Sequence, residues 1–288
     1  MNRKLLVCSV SGGRTSAFMA LAVKAFWESR YEKVIYVFAN TGEEHPETLD
    51  FVHRFEVAFN IPLVWVEASV NMTPRIGTSF RIVNHATATR SNALGGPFEQ
   101  VIRKYEIPNS GRPGCSRELK RYPILAYTRY LGFKRNQVDM AVGIRADEID
   151  RISENAEAEG MVYPLIRPGI TKQRVLDFWR QYPDIDLKLP EHWGNCMWCW
   201  KKSDRKLFTV AKEKPEAFAF AARMERNYGM VGKEKVKGPD GKGQRFFRGS
   251  RYVSDIMAGA SQLTNPFVDQ RYLDLSNGCE DSCEVDFK

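Results

Sequence analysis

Two residue sets in this chain have the types and spacing to do chemistry: Ser11-Gly12-Gly13-Arg14-Thr15-Ser16, and Cys196-Met197-Trp198-Cys199 far downstream. Gly12 and Gly13 lack a Cβ, so successive backbone N–H groups there can converge on one anion. Ser11, Thr15 and Ser16 add hydroxyl donors, Arg14 adds a cation, and a helix starting at this point adds its positive dipole end. The ligand such a set favours is a phosphate or a sulfate; a plain β–α turn with a serine or threonine cap is the alternative. The Cys-x-x-Cys pair belongs to a chain of six cysteines with no convincing secretory signal. It therefore reads as metal ligation or thiol chemistry rather than a structural disulfide. Cys115 is the best distant partner to close such a site. An iron–sulfur cluster is favoured, with zinc (His192 lies close to the pair) and a bare redox dithiol as competitors.

These residues need elements to hold them. The apolar run Leu5–Val10 ahead of the glycines predicts a buried strand, and Ala17–Val23 after them predicts an amphipathic helix. A second strand, Lys33–Asn40, ends in Thr41-Gly42-Glu43-Glu44-His45-Pro46-Glu47-Thr48, where Pro46 suits the first turn of a helix. A third strand is expected over Ile61–Val66. The resulting β-α-β-α-β series implies a parallel sheet, with both polar blocks at carboxyl ends of strands, where open parallel sheets bind ligands. A further strand, Val138–Ile144, leads into Arg145, Asp147 and Arg151. Arginine forks grip sulfate and phosphate bidentately, so Arg145 and Arg151 are candidate clamps; surface ion pairs with Asp147 or Glu148 are the alternative. Glycine, proline, asparagine and threonine break the periodicity around residues 72–113, and a long loop is expected there. Lys212–Tyr228 reads as a helix with Pro215 near its start.

Taken in order, these motifs resemble the PP-loop (ATP pyrophosphatase) superfamily, and within it the phosphoadenylyl-sulfate and adenylyl-sulfate reductases. Ser11–Ser16 looks like the Ser-Gly-Gly-x-Asp-Ser loop, and Thr41-Gly42-x-x-x-Pro46-Glu47-Thr48 looks like the second signature. Gly114-Cys115-Ser116-Arg117-Glu118-Leu119-Lys120-Arg121-Tyr122-Pro123 is similar to the reductases' cysteine, basic residue and proline segment. Gly143-Ile144-Arg145-Ala146-Asp147-Glu148-x-x-Arg151 is similar to their arginine-bearing loop. The resemblance covers roughly residues 5 to 205. It implies an α/β fold with a doubly wound, mostly parallel sheet and a helical or irregular C-terminal extension. It also implies an adenine nucleotide, ATP or adenylyl sulfate, on Ser11, Gly12, Gly13, Arg14, Thr15, Ser16, Thr41, Gly42, Arg145 and Arg151. Thr15 departs from the pattern: the family's usual aspartate would help position magnesium, so ATP cleavage is less firmly implied than binding. Iron–sulfur reductases take four thiolates from a cysteine pair and a downstream Cys-x-x-Cys. Here Ser116 stands beside Cys115, leaving Cys115, Cys196 and Cys199 as ligands of a 4Fe–4S cluster with one open iron. Cluster-dependent tRNA thiolases of the superfamily have the same count. Sulfonucleotide reductases keep a nucleophilic cysteine on a C-terminal tail, a role Cys279 or Cys283 would fill, although Glu280, Asp281 and Glu284 disfavour a thiolate there. Cys8, within the first strand, reads as a small core residue.

Composition sets looser bounds. With 288 residues and 43% hydrophobic content the chain can bury a substantial core. A nucleotide and cysteine domain over 1–205 and an extension over 206–288 are expected. The net charge of +8 and a pI near 9.1 suit anionic partners: a small nucleotide, tRNA or DNA. The basic stretch 232–252 is a candidate phosphate and base contact, or else a hairpin with its aromatics turned inward. The early apolar run is too short to span a bilayer, so a cytoplasmic protein without membrane partners is expected, with a thiol or electron-donor protein and self-association as further associations. Reduction of adenylyl-activated sulfate is the most direct function implied. ATP-dependent thiolation of tRNA or DNA is the alternative, and a non-catalytic nucleotide-binding subunit, suggested by Thr15, is the third.

Overall fold

A computed structural model describes residues 4–194, 196–231 and 243–269. Its centre is a six-stranded sheet in the order β4-β3-β2-β1-β5-β6, with β1 Leu5–Val10, β2 Lys33–Asn40, β3 Leu63–Ser69, β4 Ser79–Val83, β5 Val138–Ala141 and β6 Met161–Val162. All neighbours pair in parallel except β3 and β4. The parallel strands are apolar on both faces because helices cover both. Leu6, Cys8 and Val10 of β1 face one core, and Leu5 and Val7 face the other. Burial pushes the Cys8 thiol far above its ordinary range, so it is an inert core group, as expected from its place in the strand.

The helices follow in chain order. They are α1 Arg14–Phe26, α2 Pro46–Ala58, α3 Pro97–Tyr105, the single turn α4 Gly114–Ser116, α5 Tyr122–Tyr130, α6 Ala156–Glu159, α7 Lys172–Arg180, α8 Asp204–Glu213, α9 Ala219–Tyr228 and α10 Val253–Ser261. α7 closes over α1 and α2 through aromatic rings: Phe178 meets Phe18 at 5.1 Å, and Trp179 meets Phe51 at 5.3 Å. Trp179 is fully buried and its indole N–H donates to the Arg14 carbonyl at 3.1 Å, so this core also fixes the start of α1.

Three expectations change. The segment 72–113 contains β4 and α3 rather than one long loop; α3 starts at Pro97 behind Gly95-Gly96, and its buried face is Phe98, Val101 and Ile102. The helix expected over 212–228 is interrupted: α8 ends at Glu213, Pro215 opens a 3-10 turn, and α9 begins at Ala219. Proline has no N–H for the continuing ladder, which is why the break falls there. In the basic stretch, Phe246 and Phe247 are buried, so these rings are core rather than stacking surfaces, and residues 232–242 lie outside the described segments. No helix among the described residues is long and apolar enough to cross a membrane.

Candidate active site

The chain leaves β1 toward one side of the sheet and returns through β5 on the other, so the carboxyl ends of β1 and β5 form a topological switch point. A small cavity opens there, lined by Ser9 and Ser11 from β1 and its end, Ala39 of β2, Val142 and Gly143 after β5, and Lys120. The Ser11–Ser16 loop forms its rim. Gly12 takes φ +89°, a conformation that glycine alone adopts without strain. The Ser16 hydroxyl accepts from the Ser11 N–H and hydroxyl at 3.0 Å each and donates to the Gly13 carbonyl at 3.0 Å. The loop is therefore shaped before any ligand arrives, and α1 begins without an acidic residue in its first turn.

The three arginines expected to contact an anion, Arg14, Arg145 and Arg151, are not placed alike. Arg14 turns away from the cavity and forms a bidentate pair with Asp186, at 2.6 and 3.0 Å, with a further bond to the Leu187 carbonyl. Arg145 is 3% exposed and donates to the Thr15 hydroxyl at 3.2 Å and to Asp147 at 2.9 Å. Burial alone would raise the Asp147 carboxyl, but the Lys172 N–H and the Arg145 guanidinium outweigh it and hold it below the usual value. Arg151 pairs with Glu148, which also accepts from the Arg145 N–H. Thus Arg145 reaches the Ser11–Ser16 loop, while Arg151 pairs with Glu148 on its own turn.

The second signature loop is bonded directly to the Cys-x-x-Cys segment. Glu44 accepts from the Thr41 N–H at 3.0 Å and the Thr41 hydroxyl at 2.7 Å, and pairs through its backbone with Cys196. Thr41 Oγ1 lies 3.6 Å from Cys196 Sγ; since the hydroxyl proton goes to Glu44, the neutral thiol donates. The Trp198 indole donates to Glu43 at 3.2 Å, and the Asn92 N–H donates to the same carboxyl at 3.1 Å. Burial pushes Glu43 up to about 8 against those two bonds. Folded Glu43 thus binds its proton more tightly than the unfolded chain does, so its contribution to stability falls as pH rises from its ordinary 4.5 to about 8, and then levels off. Glu43→Gln is expected to flatten that part of the stability profile, as read by denaturant midpoints at half-unit pH steps.

Cys115, Cys196 and Cys199 line one small cavity, together with Thr41, Lys120 and Trp200. No disulfide joins them. A π-helical stretch, Arg117–Arg121, carries the wall between α4 and α5, and its wide turn puts Glu118, Leu119 and Lys120 in the interior one after another. Lys120 is 6% exposed and lines both cavities. Among the described residues no group of three or more His, Cys, Asp or Glu side chains is arranged to hold a single metal ion. His192, a zinc candidate from its position in the chain, is directed to Glu213 at 2.9 Å. Cys279 and Cys283 lie outside the described residues. Sequence reasoning passed over Glu43, Glu44 and Trp200; the aromatic flanks of Trp198-Cys199-Trp200 were the available signal.

The profile of the phosphoadenosine phosphosulfate reductase domain matches residues 5–106. The uncharacterized nin region protein ORF290 of Escherichia phage lambda is 33% identical over 211 residues, which is 72% of this chain and 69% of that protein. The chain belongs to the phosphoadenosine phosphosulfate reductase domain family. Two solved structures are similar to this reductase-domain protein at low identity. Phosphoadenylyl-sulfate reductase from Candida auris, in a phosphate complex, is 15% identical with a TM-score of 0.36, covering 62% of this chain and 72% of that one. The U34-tRNA thiolase NcsA from Methanococcus maripaludis, with its [4Fe-4S] cluster, is 14% identical with a TM-score of 0.41, covering 99% and 80%.

Proposed function

We propose that this enzyme binds an adenylyl-activated sulfate at the β1–β5 cavity and reduces it beside an iron–sulfur cluster held by Cys115, Cys196 and Cys199. The observation that carries this reading is Lys120, whose buried side chain lines both the strand-end cavity and the cysteine cavity. A cation there neutralises the nucleotide's anionic groups on one side and a thiolate-ligated group on the other. The cysteine cavity suits such a group by the three cysteines that line it. An iron–sulfur cluster, when bound, supplies polarisable iron beside the sulfur being handled.

The chain's own groups account for the rest. The Ser11–Ser16 loop and Arg145 hold the nucleotide's anionic end, and Thr15 in place of a carboxylate leaves the loop suited to an anion without magnesium. A tail thiolate, Cys279 or Cys283, attacks the sulfate sulfur; the S–O bond to the nucleotide breaks and the nucleoside phosphate leaves. A second thiol attacks the resulting thiosulfonate, sulfite departs, and the disulfide formed is returned to two thiols by a dithiol reductant. A second reading, transfer of sulfur to tRNA or DNA with ATP as activator, is favoured by Ser116, which lines the cavity where a fourth thiolate would complete the set. Anaerobically purified protein supplied with adenylyl sulfate and a dithiol is expected to release sulfite and the nucleoside phosphate in equal amounts. No sulfite, but thiolated nucleic acid with ATP, would move the assignment to the second reading.

A further inference from the structure

Asn40 and Glu67 stand opposite each other near the carboxyl ends of β2 and β3, both are fully buried, and neither lines the strand-end cavity or the cysteine cavity. The Glu67 carboxylate accepts five hydrogen bonds. One oxygen takes Asn40 Nδ2 and the Thr89 N–H at 2.6 Å each; the other takes Arg81 Nε at 3.0 Å, Arg81 Nη2 at 2.5 Å and the Thr89 hydroxyl at 2.9 Å. The Asn40 amide is used as completely: Nδ2 donates a second bond to the Thr89 carbonyl at 2.9 Å, and Oδ1 accepts from the Gly42 N–H at 3.2 Å. Turning the amide over would set its NH2 against the Gly42 N–H and its oxygen against the Glu67 carboxylate, so one orientation alone satisfies the network. A buried ion pair adds little stability over apolar side chains that fill the same space, so stability by itself does not account for a carboxylate bonded in this way. What the network does accomplish is to fix the backbone on both sides of Thr41.

Gly42 takes φ +84°, and a Cβ there would lie 3.1 Å from Thr89 Cγ2 and 3.2 Å from Pro97, so its backbone is pressed against the segment that Glu67 holds. Thr41, between Asn40 and Gly42, lines the cysteine cavity with Oγ1 3.6 Å from Cys196 Sγ. We infer that Asn40, held by Glu67, is a positioning residue: it sets Thr41 against Cys196 and so shapes the cysteine side of the site, not the nucleotide pocket. The kinetic part of this inference rests on the reaction proposed above. Asn40→Ala severs the link to Gly42 and leaves Glu67 with Arg81 and Thr89 as partners. Thr89→Val takes one hydroxyl from the same carboxylate, keeps the methyl against Gly42 and leaves the Asn40 link intact. In iron-free protein, alkylation of Cys196, followed by the mass of its peptide, is expected to run about tenfold faster in Asn40→Ala and at the natural rate in Thr89→Val, because a loosened segment opens what it covers. No acceleration in Asn40→Ala, or the same acceleration in both variants, overturns the inference. In sulfite formation Asn40→Ala is expected to lower kcat about tenfold, the scale for losing a residue that orients a site, while KM for adenylyl sulfate changes less than about twofold. A raised KM with the natural kcat overturns the inference. The natural chain supplies a check that needs no variant: the Gly42 amide is expected to exchange with solvent about 100-fold more slowly than an unprotected amide, and exchange at the unprotected rate overturns the inference. A natural chain that forms no sulfite overturns the proposed reaction alone, since alkylation and exchange still decide the placement of Thr41.

Discussion

Cys196→Ser is expected to strip the protein of nearly all bound iron and sulfide and to reduce sulfite formation by more than the roughly 10–100-fold that loss of an outer-shell partner costs a metal site. The physical basis is ligand softness: a thiolate suits iron–sulfur chemistry, and a serine hydroxyl neither ionises nor polarises comparably near neutral pH. Cys196 is the cysteine of choice for the test because it is buried and its contacts tie it to the second signature loop. It is 7% exposed, it bridges Glu44 through the backbone, and its sulfur touches Thr41. The serine hydroxyl can take over the contact to Thr41, so the fold is expected to survive. Cys8→Ala is the matched control. That thiol sits within β1, fully buried, and lines neither cavity. Its removal is expected to leave iron content and turnover unchanged while lowering the denaturant midpoint modestly. Full iron content in Cys196→Ser would remove the Cys-x-x-Cys segment from the site.

Gly12→Ala is expected to weaken adenine-nucleotide binding by about 100-fold, corresponding to nearly 3 kcal/mol. Two costs combine. Gly12 has φ +89°, where a side chain strains the backbone by about 1–3 kcal/mol. A Cβ there would also lie 2.6 Å from Thr48 Cγ2 and 3.3 Å from Phe38 Cε2, so either α2 retreats or the loop moves out. The loop is the softer of the two, and its displacement breaks the Ser11–Ser16 bonds that shape the anion site. Gly13→Ala provides the contrast. Its φ is −103°, and a Cβ meets only Ser11 Oγ at 3.9 Å, so binding is expected to fall less than tenfold. Isothermal titration with adenylyl sulfate reads both. Equal losses in the two variants would show that amide convergence, rather than the shape of the loop, dominates.

The sheet was legible because its parallel strands are covered on both faces and therefore written as unbroken apolar runs. Leu5–Val10 and Lys33–Asn40 emerge with the expected ends. β4 was not legible for the opposite reason. It is an edge strand with Ser79, Arg81 and Ile82 exposed, and only Phe80 and Val83 pack against the core, too few to write an apolar run. Within the site, the Ser-Gly-Gly loop, Thr41 and the three cysteines could be named from local motifs, since local chemistry defines each. Arg14 could not be placed that way: it stands in an anion-binding motif, yet a carboxylate 172 residues later captures it. Trp200 is a similar case. Nothing in its local sequence says that its N–H, unlike that of Trp198 two residues earlier, finds no acceptor in the protein. Long-range pairing and hydrogen-bond accounting are properties of the folded chain.

The grip of Asp186, Leu187 and Trp179 on Arg14 also constrains when this protein can finish folding. β1 and the turn into α1 leave the ribosome well before the groups that fix Arg14, which lie up to 173 residues further on. At 5–20 residues per second, on the order of ten seconds or more of synthesis separates the two halves of that clasp. Until α7 and the segment after it arrive, the nascent phosphate loop lacks its anchor and the apolar faces of α1 and α2 lack their cover. Contacts of such sequence separation slow folding, so the chain passes through an extended interval in which truncation before residue 187 yields a sheet without a settled anion loop. Chaperone occupancy on ribosome-bound chains would therefore be highest for stalled lengths short of that point and drop once it has emerged.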